Sequence, residues 1–551
     1  MKRRLHRGEK GAAAELLHIA LGVENVRRAF RGLCPLVTVS VLSFCDRFTI
    51  GNVERRRSIT RRAMATFWCL ALSLATALVV RADEPDAPLP EQAASALQRA
   101  VRFYQGSVAA HGGYVYRYSA DLAKREGEGK TDEDTVWVQP PGTPSVGMAY
   151  VEAYERLREP YLLDAARDAG ECLIRGQMHS GGWNASIHFA EDERRRHAYR
   201  VDGKPRKSAR NITSFDDDKT QSALRMLMRL DQVQEFQDGR THEAVQYALD
   251  SILKAQFPNG GWAQVFDTIP DQASFPVEQA SYPEAWTRKY PGGDYWQHYT
   301  LNDNALVDTL HALLLASRIY DESKYRNAAM RAADFLLLAQ MPEPQPAWAQ
   351  QYDANMHPAW ARKFEPPAIS GGESQNVVEA LVRMYVETGE RKYLDAAERA
   401  IAYLRKSELG DGRLARFYEL RTNRPLYLVK DTYELTYRDD NLPTHYAFQV
   451  ASRVDRLANE AERLSRLSPA ELDKLRGAPA IPTPGSVKVT PELERQVREI
   501  VAALDDRGAW VEAGRLQYHG KGDDTRRVIE SRSFIRNIGV LSAYLAVVRG
   551  Q

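Results

Sequence analysis

A chain of 551 residues, 44% hydrophobic and 27% charged, is long enough for a large buried core and has an ordinary globular balance. Its net charge of +2 conceals a split: residues 1–82 carry 15 Lys and Arg against 5 Asp and Glu, and the rest carries 60 against 68, a net of about −8. That excludes a global basic field and, with it, nucleic acid as the main partner.

From the N-terminus, Arg61 and Arg62 precede an apolar run from Ala65 to Val80 and a small residue at Ala82. This is the grammar of a signal peptide, and the run is short for a stable membrane span. Residues 1–63 read as a non-native or cytoplasmic extension, 64–82 as the signal, and 83–551 as the working domain, placed outside the cytoplasm in the secreted or periplasmic space. Three of four cysteines fall in the excluded part. Cys172 lies in an apolar pattern and reads as core.

Helix formers dominate the remainder, and four segments share one pattern: 143–177, 220–256, 302–340 and 373–407. Each reads as a helix, a short turn and a second helix, with apolar residues at i, i+3, i+4 and i+7. Gln177, Gln256 and Gln340 close the second helices, and each is followed by a loop with a tryptophan: Trp183, Trp262 and Trp348. A weaker fifth copy spans the last sixty or so residues. Hairpins with one apolar face must bury it against each other. The expected fold is all-α, an incomplete or closed α/α toroid with long irregular loops at one rim. Residues 468–493 are Pro-rich and read as a linker or surface excursion.

The inner helices open on polar clusters: Asp216, Asp217 and Asp218; Asn302, Asp303 and Asn304; Ser370, Gly371, Gly372 and Glu373. Helix capping is the plain reading of each alone, and Ser370-x-x-Glu373 fits a capping box. Three clusters converging on one rim could instead hold Ca²⁺, a hard cation that takes several oxygen ligands. Arg362, Arg416, Arg421 and Arg424 lie among aromatics near these clusters, and the guanidinium fork suits carboxylate recognition. Nucleophile elbows, zinc motifs, paired Cys-x-x-Cys and phosphate loops are missing from the sequence.

"AQFPNGGWAQVF", "YTLNDNALV", "PPAISGGES" and "ARFYELRTNRPLY" occur in an order and spacing that resembles family 10 of the polysaccharide lyases, the pectate lyases, from about Ala94 to Tyr446. The resemblance implies an α/α toroid that cleaves polygalacturonate by Ca²⁺-assisted β-elimination with an arginine base. It implies metal-binding roles for Asp216, Asp217 and Asp303 and a substrate-carboxylate role for Arg362. Asn302, Asn304, Ser370 and Glu373 complete the implied substrate-binding set. The base falls at Arg416 or Arg424, with Arg424 favoured because a turn at Asn423-Arg424-Pro425 projects it. Lys219 departs from the family pattern, which has a small residue there. Competing readings are a squalene–hopene type terpene cyclase, whose toroid also uses Gln-x-x-x-Gly-x-Trp; a non-catalytic polysaccharide-binding toroid; and a two-carboxylate hydrolase.

Overall fold

The computed structural model describes residues 87–476 and 489–550. The expected extension and signal segment, and the middle of the Pro-rich stretch, lie outside the described residues.

Leu89–Phe103 forms α1. Four antiparallel hairpins follow: α2 (Thr143–Leu157) with α3 (Pro160–Arg175), α4 (Lys219–Val233) with α5 (Gly239–Ala255), α6 (Ala305–Tyr320) with α7 (Ser323–Leu338), and α8 (Glu373–Thr388) with α9 (Arg391–Lys406). The first helix of each hairpin packs on the first helix of the next, giving an inner series α2, α4, α6, α8 backed by outer partners. Composition follows position. Outer α3 buries a stripe at Leu162, Ala165, Ala166, Ala169, Cys172 and Leu173. Inner α4, enclosed by neighbours on several sides, buries most of its residues. The tight returns come from left-handed residues that end the inner helices, Arg158, Asp321 and Gly389. Cys172 is fully buried, and burial pushes its thiol up to about 12.

After α9 come α10 (Val454–Ser465) and α11 (Pro469–Arg476), both packed on α8, then α12 (Pro491–Ala502) and α13 (Ser531–Val548). The Pro-rich stretch is thus helical at both ends: Pro469 and Pro491 each occupy a first helical position, where the missing N–H costs nothing. α13 packs on α2 and α1, so the C-terminal segment extends the inner series at its beginning. Strand Arg527–Glu530 pairs antiparallel with Arg117–Ser119 in a five-stranded sheet that joins an early and a late segment of the described residues. The inter-hairpin loops are less irregular than expected, because they carry short antiparallel ladders. The largest of these, in the order 368–370, 417–419, 425–428, 435–436, frames the last inner turn. Among the described residues no helix is long and apolar enough to cross a membrane.

The corners explain the repeated glutamines and tryptophans. Gln177 Nε2 donates to Gly181 O (2.9 Å) and to Ala244 O of the next outer helix (2.8 Å). Gln256 does the same to Gly260 and Ala328, and Gln340 to Pro346 and Ala396. Each amide ties its own loop to the following outer helix. Trp183, Trp262, Trp348 and Trp510 each return an indole N–H to a carbonyl ten or twelve residues back. Trp510 places the fifth copy in the same scheme. Gly260 has φ of 95°, and a Cβ there would stand 2.0 Å from Arg331 O, so the corner admits only glycine.

Candidate active site

Two inner helices open on the same backbone turn. Asp217 and Asp303 have φ of 49°, and Asp218 and Asn304 have φ of 60°. Left-handed pairs are uncommon outside glycine, and Asp and Asn reach them at least cost. Neither turn makes a side-chain capping bond. The capping reading therefore fails at both. What holds the first turn is Gln221, whose Nε2 donates to Phe215 O and to Ala305 O at the start of α6. Adjacent inner helices are thereby fixed start to start.

The acidic side chains face one another. One oxygen each from Asp216, Asp217 and Asp303 lies within 4.8 Å of the others. Lys219 Nζ donates to Asp216 Oδ2 at 2.8 Å and to Asp217 Oδ2 at 3.4 Å, and Gln264 Nε2 donates to Asp216 Oδ1 at 2.9 Å. Burial, then the neighbouring Asp216, raises the pKa of Asp217. Burial, then Asp217, Asp216 and Glu373, brings Asp303 up to about 7.

Arg362 borders this cluster. Its Nε and Nη2 form a bidentate pair with Glu365 at 2.8 and 2.5 Å, and Nη2 is 3.9 Å from Asp303 Oδ2. Glu365 is fully buried and also accepts from Asn302 Nδ2 (3.3 Å) and Tyr446 OH (3.2 Å). Gln350 Nε2 lies 3.0–3.1 Å from Asn302 Oδ1, Glu373 Oε1 and Tyr446 OH, joining the second and third turns.

At the third turn only half of the capping box forms: Ser370 Oγ accepts from the Gly372 and Glu373 N–H groups at 3.3 and 3.4 Å. The Ser370 N–H is committed to Trp348 O, and the Glu373 carboxylate turns instead to Ser370 Oγ, Gln350 and Arg416. Arg416 Nη1 is 3.1 Å from Glu373 Oε1 and 3.3 Å from Tyr446 OH, and its Nε donates to Ala447 O. Burial alone would lower the Arg416 pKa. Glu373, then Tyr446 and Asp303, outweigh it and hold the guanidinium above its ordinary value.

Of the ten predicted site residues, the structure brings Asp216, Asp217, Asn302, Asp303, Arg362, Glu373 and Arg416 into one connected cluster. Ser370 is buried beneath it as the partner of Glu373, and neither of that pair presents a free surface. Asn304 turns its amide to Asn376 Nδ2 (2.6 Å). Arg424 sits on the hairpin turn as expected, but the turn points it away from the acidic cluster: its guanidinium lies 3.4 Å from the centroid of the Tyr437 ring. Arg421 is held by Pro283 O and the Tyr282 ring. Glu365, Gln350, Tyr446 and Gln264 were not anticipated. Glu365 three residues after Arg362 was a usable sequence signal. The others are distant in sequence and meet only in the fold.

Residues 177–384 match the family model described as pectic acid lyase. The central segment is similar to the pectic acid lyases. That segment holds Asp216, Asp217, Asp303, Arg362 and Glu373, and Arg416 lies beyond it. No curated protein matches the chain. Among solved structures it is similar to a family 10 polysaccharide lyase from Cellvibrio cellulosa, with 18% identity over 59% of this chain and 98% of that one and a TM-score of 0.42. A variant of that lyase, solved with trigalacturonic acid, matches at 17% identity over 58% and 98% with a TM-score of 0.41. A family 76 glycoside hydrolase from Bacteroides thetaiotaomicron matches at 12% over 84% and 99% with a TM-score of 0.39. Likenesses this distant leave the activity to be argued from the site.

Proposed function

We propose that this protein is a polysaccharide lyase that cleaves a uronate polymer, polygalacturonate or a close relative, by β-elimination. The observation that carries the reading is that Arg362, 3.9 Å from Asp303, and Arg416, which feels the Asp303 charge, are joined to one acidic cluster in and beside the segment that matches the pectic acid lyases. A uronate residue has a carboxylate at C5 and a glycosidic oxygen at C4. A base removes the C5 proton, the C4–O bond breaks, a C4–C5 double bond forms, and the leaving oxygen takes a proton. Negative charge builds on the carboxylate in the transition state, and preorganised cations stabilise it.

Arg362 is the residue we assign to that carboxylate. Its side chain is 39% exposed while Glu365 fixes its plane, so it offers a positioned guanidinium with one side open. Arg416 is assigned to the reacting centre in preference to Arg424. To act as base it must first lose its own proton, which the Glu373 contact opposes. To stabilise the developing charge it needs no change. Its surroundings favour the second role.

Ca²⁺ belongs to the implied mechanism, and the residues present test it. Three aspartates supply oxygen donors at a suitable spacing. Both oxygens of Asp216 are already engaged, by Gln264 and Lys219, and the Lys219 ammonium also stands on Asp217. As built, this donor set does not fit a divalent ion, and no step is routed through one. A uronate polymer is met outside the cytoplasm, in keeping with the export signal read at residues 64–82.

The test is incubation of the purified protein with polygalacturonate, following the ultraviolet absorbance of a 4,5-unsaturated product. New reducing ends without that absorbance would show hydrolysis and defeat the proposal.

A further inference from the structure

We infer that Lys219 is a built-in counter-cation: its ammonium fills the cation position of the Asp216–Asp217–Asp303 cluster, so that the site keeps its charge arrangement without a divalent metal. The inference rests on the lyase reading for its catalytic meaning but not for its geometry.

Lys219 is the first residue of α4 and only 7% exposed. A lysine is rarely buried without an anionic partner, and this one has two, at 2.8 and 3.4 Å. The remaining acids of the cluster are served by other cations: Asp303 by Arg362 at 3.9 Å, Glu365 by Arg362 at 2.5 Å and Glu373 by Arg416 at 3.1 Å. Each of the five carboxylates therefore has a basic nitrogen within 4 Å. A calcium ion needs six to eight oxygens at about 2.3–2.6 Å. Any ion bound to Asp216 Oδ2 would lie beside an ammonium hydrogen-bonded to that same oxygen, and the two cations would repel. Moving the ammonium aside leaves a buried charge without its partner, a severe cost.

The sequence places this cation by backbone geometry. The left-handed residues Asp217 and Asp218 turn the chain sharply before α4 begins. The carboxylates two and three residues before Lys219 are thereby folded back within reach of its Nζ. The equivalent position after the second turn is Ala305, which has no charge to offer, and there Arg362 supplies it from another loop. Lys219 acts as a positioning residue. It holds Asp216 and Asp217 in place while Arg362 and Arg416 face the substrate.

Calorimetric titration of the full protein with Ca²⁺ tests this directly. Wild type is expected to show no binding into the millimolar range, and its lyase rate to be unchanged by EDTA. Lys219→Met keeps the apolar stem and removes the charge. It is expected to bind Ca²⁺ at least about tenfold more tightly than wild type, to lose at least about tenfold in rate in EDTA, and to recover part of that rate with Ca²⁺. Ca²⁺ binding by wild type that Asp217→Asn abolishes would overturn the inference. So would loss of wild-type rate in EDTA, or a Lys219→Met protein that gains no Ca²⁺ affinity. If no uronate polymer is cleaved under any condition, the lyase reading fails, and the titrations alone still decide the role of Lys219.

Discussion

The corners and the turns of this toroid are built from similar polar residues and used in opposite ways. At the corners, Gln177, Gln256 and Gln340 bond to backbone carbonyls, and the tryptophan indoles do the same. At the turns, Asp216, Asp217, Asn302, Asp303 and Glu373 make no helix caps and bond mainly to other side chains. A corner satisfies groups the fold cannot leave bare. A turn gathers charges that the fold does not need. On the proposed function, the difference separates structure from chemistry within a single repeat, and each half can be tested.

The largest effect is expected where a turn residue is removed. Arg416→Ala should lower kcat/KM on polygalacturonate by about 10³-fold or more per folded molecule, and should also lower the thermal midpoint because buried Glu373 loses its cation. Arg416→Lys separates its two roles. A charge stabiliser should keep a measurable rate and the wild-type pH profile, whereas a base should shift the alkaline limb toward the lysine pKa. Unchanged kinetics in Arg416→Ala would remove the turns' claim to chemistry.

The converse substitution belongs to a corner. Gln256→Ala leaves Gly260 O and Ala328 O without their donor and strips Arg331 of an acceptor. We expect a loss of about 3 kcal/mol in urea unfolding, with kcat/KM per folded molecule unchanged. A large loss of activity at full stability would put the corner in the site.

The repeat was legible because a 3.6-residue period and the spacing of Gln177, Gln256 and Gln340 survive without any knowledge of contacts. The residue types at the turns were legible for the same reason. Their neighbours were not. Glu365 is a buried acid whose partners come from positions 302, 362 and 446. Gln350 bridges two turns through its side-chain amide, a role that nothing in its local sequence marks. Where Arg416 lies depends on strand register: 417–419 pairs with 368–370, which sets Arg416 against Glu373. A turn projects a residue, but does not say toward what. Lys219 was visible as a departure, and only the left-handed backbone before it shows where its ammonium goes.

A titration sharpens the comparison inside the ring. Asp308, on α6, is brought up to about 7 by burial and then by Asp218, with Arg225 pulling the other way. The folded state thus holds this proton more tightly than the unfolded chain does. The contribution of Asp308 to stability is greatest below about pH 3, where both states are protonated, is lost as pH rises from about 4 to about 7, and is constant above that. Asp308→Asn removes the penalty. It should stabilise the protein by about 2 kcal/mol at pH 8, with the gain vanishing toward pH 4 in paired denaturation curves. A gain that does not change with pH would mean that Asp308 is ionised at no cost.

The smallest effect is expected at Arg424, and it is the sharpest control on Arg416. Both arginines lie in one ladder, eight residues apart, and both contact an aromatic ring. Only Arg416 reaches the acidic cluster. Arg424 lies over Tyr437, a partly exposed ring whose hydroxyl bonds to Glu419, so its guanidinium serves the hairpin. Arg424→Ala should cost about 0.5–1 kcal/mol of stability, the size of an exposed cation–π contact. Its kcat/KM should stay within about twofold of wild type. If Arg424→Ala instead loses activity on the scale of Arg416→Ala, the hairpin must swing over the cleft when substrate binds, and the turn, not the strand register, would have identified the reacting arginine.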